Sequence, residues 1–262
     1  MLNRILFVAL ISGIVSGLAL TVIQLGSSIP IIEFAETFEG ATGDVASVDQ
    51  PIHFHSDPSH AHDHGATSAP GHEPWAPEDG IERSLWTGVT NILLGFGAAL
   101  LIAAGLVLHG LFLGKQVNSL IGLAWGSAAF LCFSLAPALG LPPELPGTTA
   151  AALEARQVWW IGTALATATG FAMIAYCRWI WLVAAIALLA LPHVIGAPHP
   201  TVHESLVPAQ VEDKFIIMAV GTSMIFWLLL GSLTGSLVQR MNLIGPAPVS
   251  RTSTAAAGND RT

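Results

Sequence analysis

Charge is the property this chain has least of. Charged residues fill 10% of its 262 positions, against roughly 25% in an ordinary soluble domain, while 53% are hydrophobic and the mean hydropathy is +0.66. That composition points to a membrane protein. Positive charge is scarcest: nine lysines and arginines stand against 17 acids, a net charge of −8. Nucleic acid is excluded as a partner, because phosphate recognition demands a basic footprint. Cysteine is nearly absent. Cys132 and Cys177 lie far apart in apolar runs without a CxxC spacing, so neither a disulfide framework nor a thiolate metal site is implied. No Walker loop, HExxH or GxSxG occurs, which leaves no sign of ATP hydrolysis or of the common hydrolase chemistries. The chain is not read as an enzyme.

Long charge-free apolar runs are what the sequence has instead. They occupy about 5 to 25, 86 to 108, 118 to 139, 157 to 177 and 215 to 238, with a shorter sixth at about 179 to 197. Each of the first five matches the roughly 17 to 25 residues needed to cross about 30 Å of hydrocarbon. They are apolar all round, as expected of helices surrounded by lipid and other helices. The expected fold is therefore an all-α integral membrane protein with six transmembrane helices. Residues 1–32 carry the first helix, 33–84 an extracytoplasmic His- and acid-rich loop, 85–240 five further helices with short loops, and 241–262 a disordered cytoplasmic tail. The first run follows Arg4 and could be a secretory signal, but its apolar core exceeds the 7 to 15 residues of a signal core, which favours a retained helix.

With both termini in the cytoplasm, Arg4, Lys115, Arg178, Arg240, Arg251 and Arg261 fall inside and only Arg83, Arg156 and Lys214 outside, in keeping with the positive-inside bias. The same arrangement sends every acid but Asp260, and every histidine but His109, to the outer face or its border. A weak repeat accompanies it. Pro77, Pro146 and Pro208 each precede an acid and then a base, and the third and fifth helices end alike in APALGLPP (136–143) and LPHVIGAP (191–198). The pattern reads either as three consecutive helical hairpins or as the ordinary preference of helix starts for proline and acid. GxxxG spacings at Gly13/Gly17, Gly122/Gly126 and Gly231/Gly235 mark seams where helix backbones approach closely, and oligomer faces are one use of such seams. Trp75, Trp86, Trp159, Trp160, Trp179 and Trp181 fall near the expected helix ends, as an interfacial aromatic belt requires.

The stretch PIHFHSDPSHAHDHGATSAPGHEPW (51–75) holds His53, His55, His60, His62, His64 and His72. Alternate positions of an extended backbone share a face, so the HxH and HxHxH spacings let two or three neutral imidazoles converge on one ion. The competing reading is a polar linker with incidental histidines. A second group, His193, His199, His203 and Glu204, falls on the same expected face. Pro137 and Pro192 free backbone carbonyls nearby, and broken helix ends of that kind line ion pathways in transporters. Glu33, Glu36 and Glu39 are either solvated acids or oxygen ligands at a pathway mouth.

No Asp, Glu, Lys or Arg lies inside any expected span. Buried carboxylates are the usual carriers of proton coupling, so a self-contained proton antiporter is not indicated. A divalent cation drawn toward a negative interior gains about 2 × 2.3 kcal/mol per 100 mV, and ligands gathered outside suit uptake better than export.

AETFE (35–39), the His-rich loop, WAPEDGIERSLWT (75–87), APALGLPPELPG (136–147), ARQVWW (155–160) and LPHVIGAP, in that order, resemble the predicted cobalt transporter subunit CbtA family of bacteria across about residues 1 to 240. The resemblance implies a multi-pass inner-membrane protein importing Co²⁺ beside a small His-bearing membrane partner, CbtB, with weight on His193, Glu36 and Glu39. The expected metal ligands are thus His53, His55, His60, His62, His64, His72, His193, His199, His203, Glu36 and Glu39, with no permanently bound cofactor and Co²⁺ favoured over Ni²⁺ or Zn²⁺ as cargo. Imidazole alone does not choose among these ions. A non-transporting accessory or metal-sensing subunit that hands metal to a partner is the competing class. A membrane enzyme using a bound metal is a distant third, because it would need a buried general base.

Overall fold

A computed structural model describes residues 1–46, 77–78, 80–114, 116–200 and 205–243. Among them every named element is helical: α1 (Leu2–Gly26), α2 (Ser28–Ala46), α3 (Ile81–Leu113), α4 (Ser119–Phe130), a π-helical turn (Leu131–Leu135), α5 (Ala136–Ala138), α6 (Leu153–Tyr176), a 3₁₀ turn (Trp179–Trp181), α7 (Leu182–Ile195) and α8 (Ala209–Arg240). Five are long and apolar enough to cross a membrane: α1, α3, α4 through α5, α6 and α8.

The expected sixth crossing is shorter than the others. With the 3₁₀ turn that leads into α7, the apolar helix runs Trp179–Ile195 and rises about 27 Å, a little short of the roughly 30 Å of hydrocarbon. The chain nevertheless returns to the end it left. Leu206 donates its backbone N–H to Gly147 O at 3.3 Å, and Thr148 and Ser205 form an antiparallel bridge. The start of α8 thus sits beside the α5–α6 connection, at what we call the loop end. At the opposite end, Arg4 Nη1 donates to Met241 O.

The pairing of helices differs from three consecutive hairpins. α1 packs chiefly on α3 and α6 on α7, but α4 packs chiefly on α8, with α6 and α7 inserted between them in sequence. Glycine decides this. A Cβ on Gly122 would strike the Gly231 carbonyl, and one on Gly126 the Trp227 carbonyl. Gly13 and Gly17 lie equally close to the backbone of Gly95, Phe96 and Asn91 on α3. All three GxxxG seams are therefore used between helices of the chain itself. Around these seams Val8, Ala99, Ile102, Leu106, Leu230 and Val238 form the main core of α1, α3, α4 and α8.

The polar stretch after α1 also differs from a simple loop. The helix breaks at Ser27, whose hydroxyl donates to Ile23 O at 2.7 Å, and resumes as α2. One face of α2 carries Ile31 and Ala35, one helical turn apart. They pack with Leu145, Val207 and Phe215 in a second small core, which lays α2 across the loop end.

Within the fourth helix, Pro137 has no N–H to give to the carbonyl four residues back. The turn before it widens, and Ala136 N–H bonds to Leu131 O, five residues back. π-Turns of this kind are frequent at functional sites. α3 stops at Gly114, whose φ of 61° suits a residue without a Cβ.

Candidate functional site

The π-turn presents Phe133 and Ser134 to α6 and α8. Phe133 stacks on Trp227 with ring centroids 5.7 Å apart and planes at 19°, and lies 6.2 Å from Trp160 on α6. Ser134 Oγ accepts a bond from Trp227 Nε1 at 3.1 Å and is 2.6 Å from Ser223 Oγ. Phe133 borders three cavities and is 38% exposed although it sits in a spanning helix.

The first cavity, 770 Å³, opens at the loop end beside Glu144, Arg156 and Gln157, with Ser134 and Ser223 on its wall. Arg156 Nη2 and Glu144 Oε2 form an ion pair of 2.6 Å. Arg156 Nε is buried without a hydrogen bond among the described residues. The second, 630 Å³, shares Ser134, Ser223 and Trp160 with the first and adds Gln24, Asn91 and Thr222. Here Asn91 Nδ2 donates to Thr21 Oγ1 at 3.0 Å and to Gln24 Oε1 at 2.6 Å. The third, 800 Å³, runs from Phe133 and Trp227 to His109, Asn118 and Tyr176 at the opposite end. His109 Nδ1 and the Tyr176 hydroxyl are 2.8 Å apart, and Trp125 meets the imidazole edge-on.

Of the expected ligands, His53, His55, His60, His62, His64, His72 and His203 lie outside the described residues, as does the tail expected to be disordered from residue 244 on. Glu39 is on α2. Glu36 is already engaged: Arg83 Nη1 and Nη2 grip its two carboxylate oxygens at 2.9 and 2.5 Å. The guanidinium bonds hold the Glu36 carboxyl below its ordinary value of 4.5. His193 is exposed at the end of α7 and faces Trp159 edge-on, centroids 6.1 Å apart. Trp159 Nε1 in turn donates to Pro192 O at 3.3 Å. His199 lies exposed six residues further on. Among the described residues no group of three or more His, Cys, Asp or Glu is placed to hold a metal ion.

Sequence reasoning passed over Phe133, Ser134, Ser223, Trp227 and the His109–Tyr176 pair. Trp159 and Trp160, read from the sequence as interfacial residues, also have contacts in the fold: Trp159 Nε1 donates to Pro192 O and Trp160 lines two cavities. The available signal was a hydroxyl or amide inside an apolar run, which is costly there unless it has a partner or a role.

Residues 2–239 match the family model described as Probable cobalt transporter subunit (CbtA). The chain belongs to this family. No curated protein matches it, nor does any solved structure. Membership supports a role in cobalt transport as one component of a larger system, and with the five apolar helices it makes the chain a multi-pass membrane protein.

Proposed function

We propose that this chain takes up a divalent metal, Co²⁺ before Ni²⁺ or Zn²⁺, across the bacterial inner membrane. The histidines of the 51–75 stretch capture the ion outside, His193, His199, His203, Glu36 and Glu39 serve the entrance, and a small His-bearing CbtB-like subunit is the partner. The family match over residues 2–239 carries this reading. The sequence carries no Walker loop, and the membrane potential, a concentration gradient or the partner supplies the drive. At the entrance a cation would have to displace the Arg83 guanidinium to reach Glu36.

Co²⁺ accumulation in proteoliposomes holding only this chain, with an inside-negative potential, tests the reading. Deleting Ile52 to His72 is expected to reduce uptake chiefly at low Co²⁺, and His193→Ala to lower the maximal rate; one shared kinetic defect would dissolve the division into capture and entrance. Loop binding should weaken by about pH 5, since imidazole binds only when neutral and titrates near 6.5.

A second reading, an accessory subunit that hands metal to its partner, is favoured by the description of the family as a transporter subunit. Uptake no greater than in empty vesicles, restored by adding the partner, would select it.

A further inference from the structure

We propose that the metal crosses this protein as a hydrated ion, through the three cavities that meet at Phe133, and that the Phe133–Trp160–Trp227 ring cluster is the gate. This rests on the transport reading above and specifies its route.

Bare divalent charge in a low-dielectric interior is prohibitively costly without counter-charge, and the described spans hold no carboxylate between their ends. Keeping the water shell resolves the conflict. Six waters at about 30 Å³ each need about 180 Å³, and the three cavities measure 770, 630 and 800 Å³. Their order along the bundle leads from the Glu144–Arg156 pair at the loop end to His109 and Tyr176 at the other. On the mainly apolar wall of the middle cavity, neutral oxygens and amides are supplied by Ser134, Ser223, Thr222, Asn91 and Gln24. Such groups bond a water shell without stripping it.

The ring cluster stands where the three cavities adjoin: Phe133 borders all three, Trp160 the first two and Trp227 the last two. Its three members come from three different elements, the π-turn, α6 and α8. The α6/α7 pair touches the rest of the bundle mainly through the π-turn and α5, so a small swing of that pair parts Trp160 from Phe133. Apolar constrictions of this sort close pores by excluding water. Selection among metals then belongs to the loop-end ligands and not to the spans.

Thiol accessibility in full-length protein tests the route. In a Cys132→Ala, Cys177→Ser background reconstituted in neutral lipid, a cysteine at Ser223 is expected to react with a membrane-impermeant charged thiol reagent, and 1 mM Co²⁺ to slow that reaction several-fold. A cysteine at Ile225, exposed on α8 away from all three cavities, should stay unreactive. Phe133→Ala should raise the rate at position 223 at least five-fold from the side opposite the loop, and Phe133→Trp should lower it. With Ile52 to His72 deleted, His193, His199 and His203 replaced by alanine and Glu36 and Glu39 by glutamine, Co²⁺ and Ni²⁺ should cross at rates within about two-fold of each other. A Ser223→Cys protein inert from both sides while its vesicles accumulate Co²⁺ overturns the route and leaves the transport reading standing. Reactivity at 223 in vesicles that take up no Co²⁺ supports the aqueous route and sinks the transport reading. Ten-fold discrimination surviving all of these changes overturns hydrated passage.

Discussion

The α1/α3/α4/α8 bundle and the α6/α7 pair are made of equally charge-free helices, yet they are held in different ways. In the bundle, backbone touches backbone across glycine. Gly231 and Gly122 leave no space for a single added carbon, and the apolar residues around them are buried. In α6 and α7 the closest glycine contact is to a side chain, Leu189 against Gly170, and Gly162 meets nothing within 4 Å. Lipid gives no hydrophobic drive between helices, so close packing is what associates them. The α6/α7 pair is held mainly by side-chain contact instead. The cavities lie along the boundary between the two regions.

One substitution, glycine to alanine, interrogates this contrast at three depths. Gly231→Ala should have the largest effect, about 3 kcal/mol of destabilisation from overpacking, read as a melting temperature in detergent lower by several degrees; an unchanged melt would mean that the seam is looser than drawn. Gly170→Ala should cost about 1 kcal/mol, because the obstructing Leu189 side chain can turn aside, and pairing it with Leu189→Ala should remove the steric part of that loss.

Glu36→Gln probes the attachment of α2. Both side chains of its ion pair are about one-third exposed, 36% for Glu36 and 31% for Arg83, so water screens the pair and the loss should be under about 1 kcal/mol. Because the folded Glu36 value is depressed, the contribution is complete above the unfolded value of 4.5 and fades as pH falls below it. The gap between wild type and variant should therefore be present at pH 7 and close on acidification; a gap that widened in acid would reverse the assignment. Gly162→Ala should change the melt least, within about 0.5 kcal/mol, and toward stability, since alanine is the better helix former.

The spans were legible because absence of charge is a direct statement about solvent. Their lengths were underestimated where charged residues join the helix. Glu82 and Arg83 belong to α3, and Glu212, Asp213 and Lys214 to α8, since helical backbone continues past the apolar part. The GxxxG spacings announced close approach but could not name partners, and Gly122 meets Gly231 more than a hundred residues away. α2 was hidden because its buried side is only Ile31 and Ala35, whose partners Leu145, Val207 and Phe215 are distant in sequence. Ser134 was hidden for another reason. Most hydroxyls in these helices bond their own backbone, as Thr163 does to Trp159 O, and nothing local distinguishes the one that bonds across to α8. The expected metal ligands were legible as a composition. Of those within the described residues, Glu36 faces a guanidinium and His193 a tryptophan.

The π-turn at Leu131–Leu135 holds one residue more than an α-helical path needs. Each residue advances an α-helix by about 100°, so loss of any one codon there would act as a rotation. The span would remain helical, apolar and inserted, and no hydropathy profile would register the change. Phe133 and Ser134 would nevertheless turn away from Trp227 and Ser223, or Pro137 away from the cavity wall, depending on which residue was removed. In this chain, length is an angular coordinate as well as a linear one.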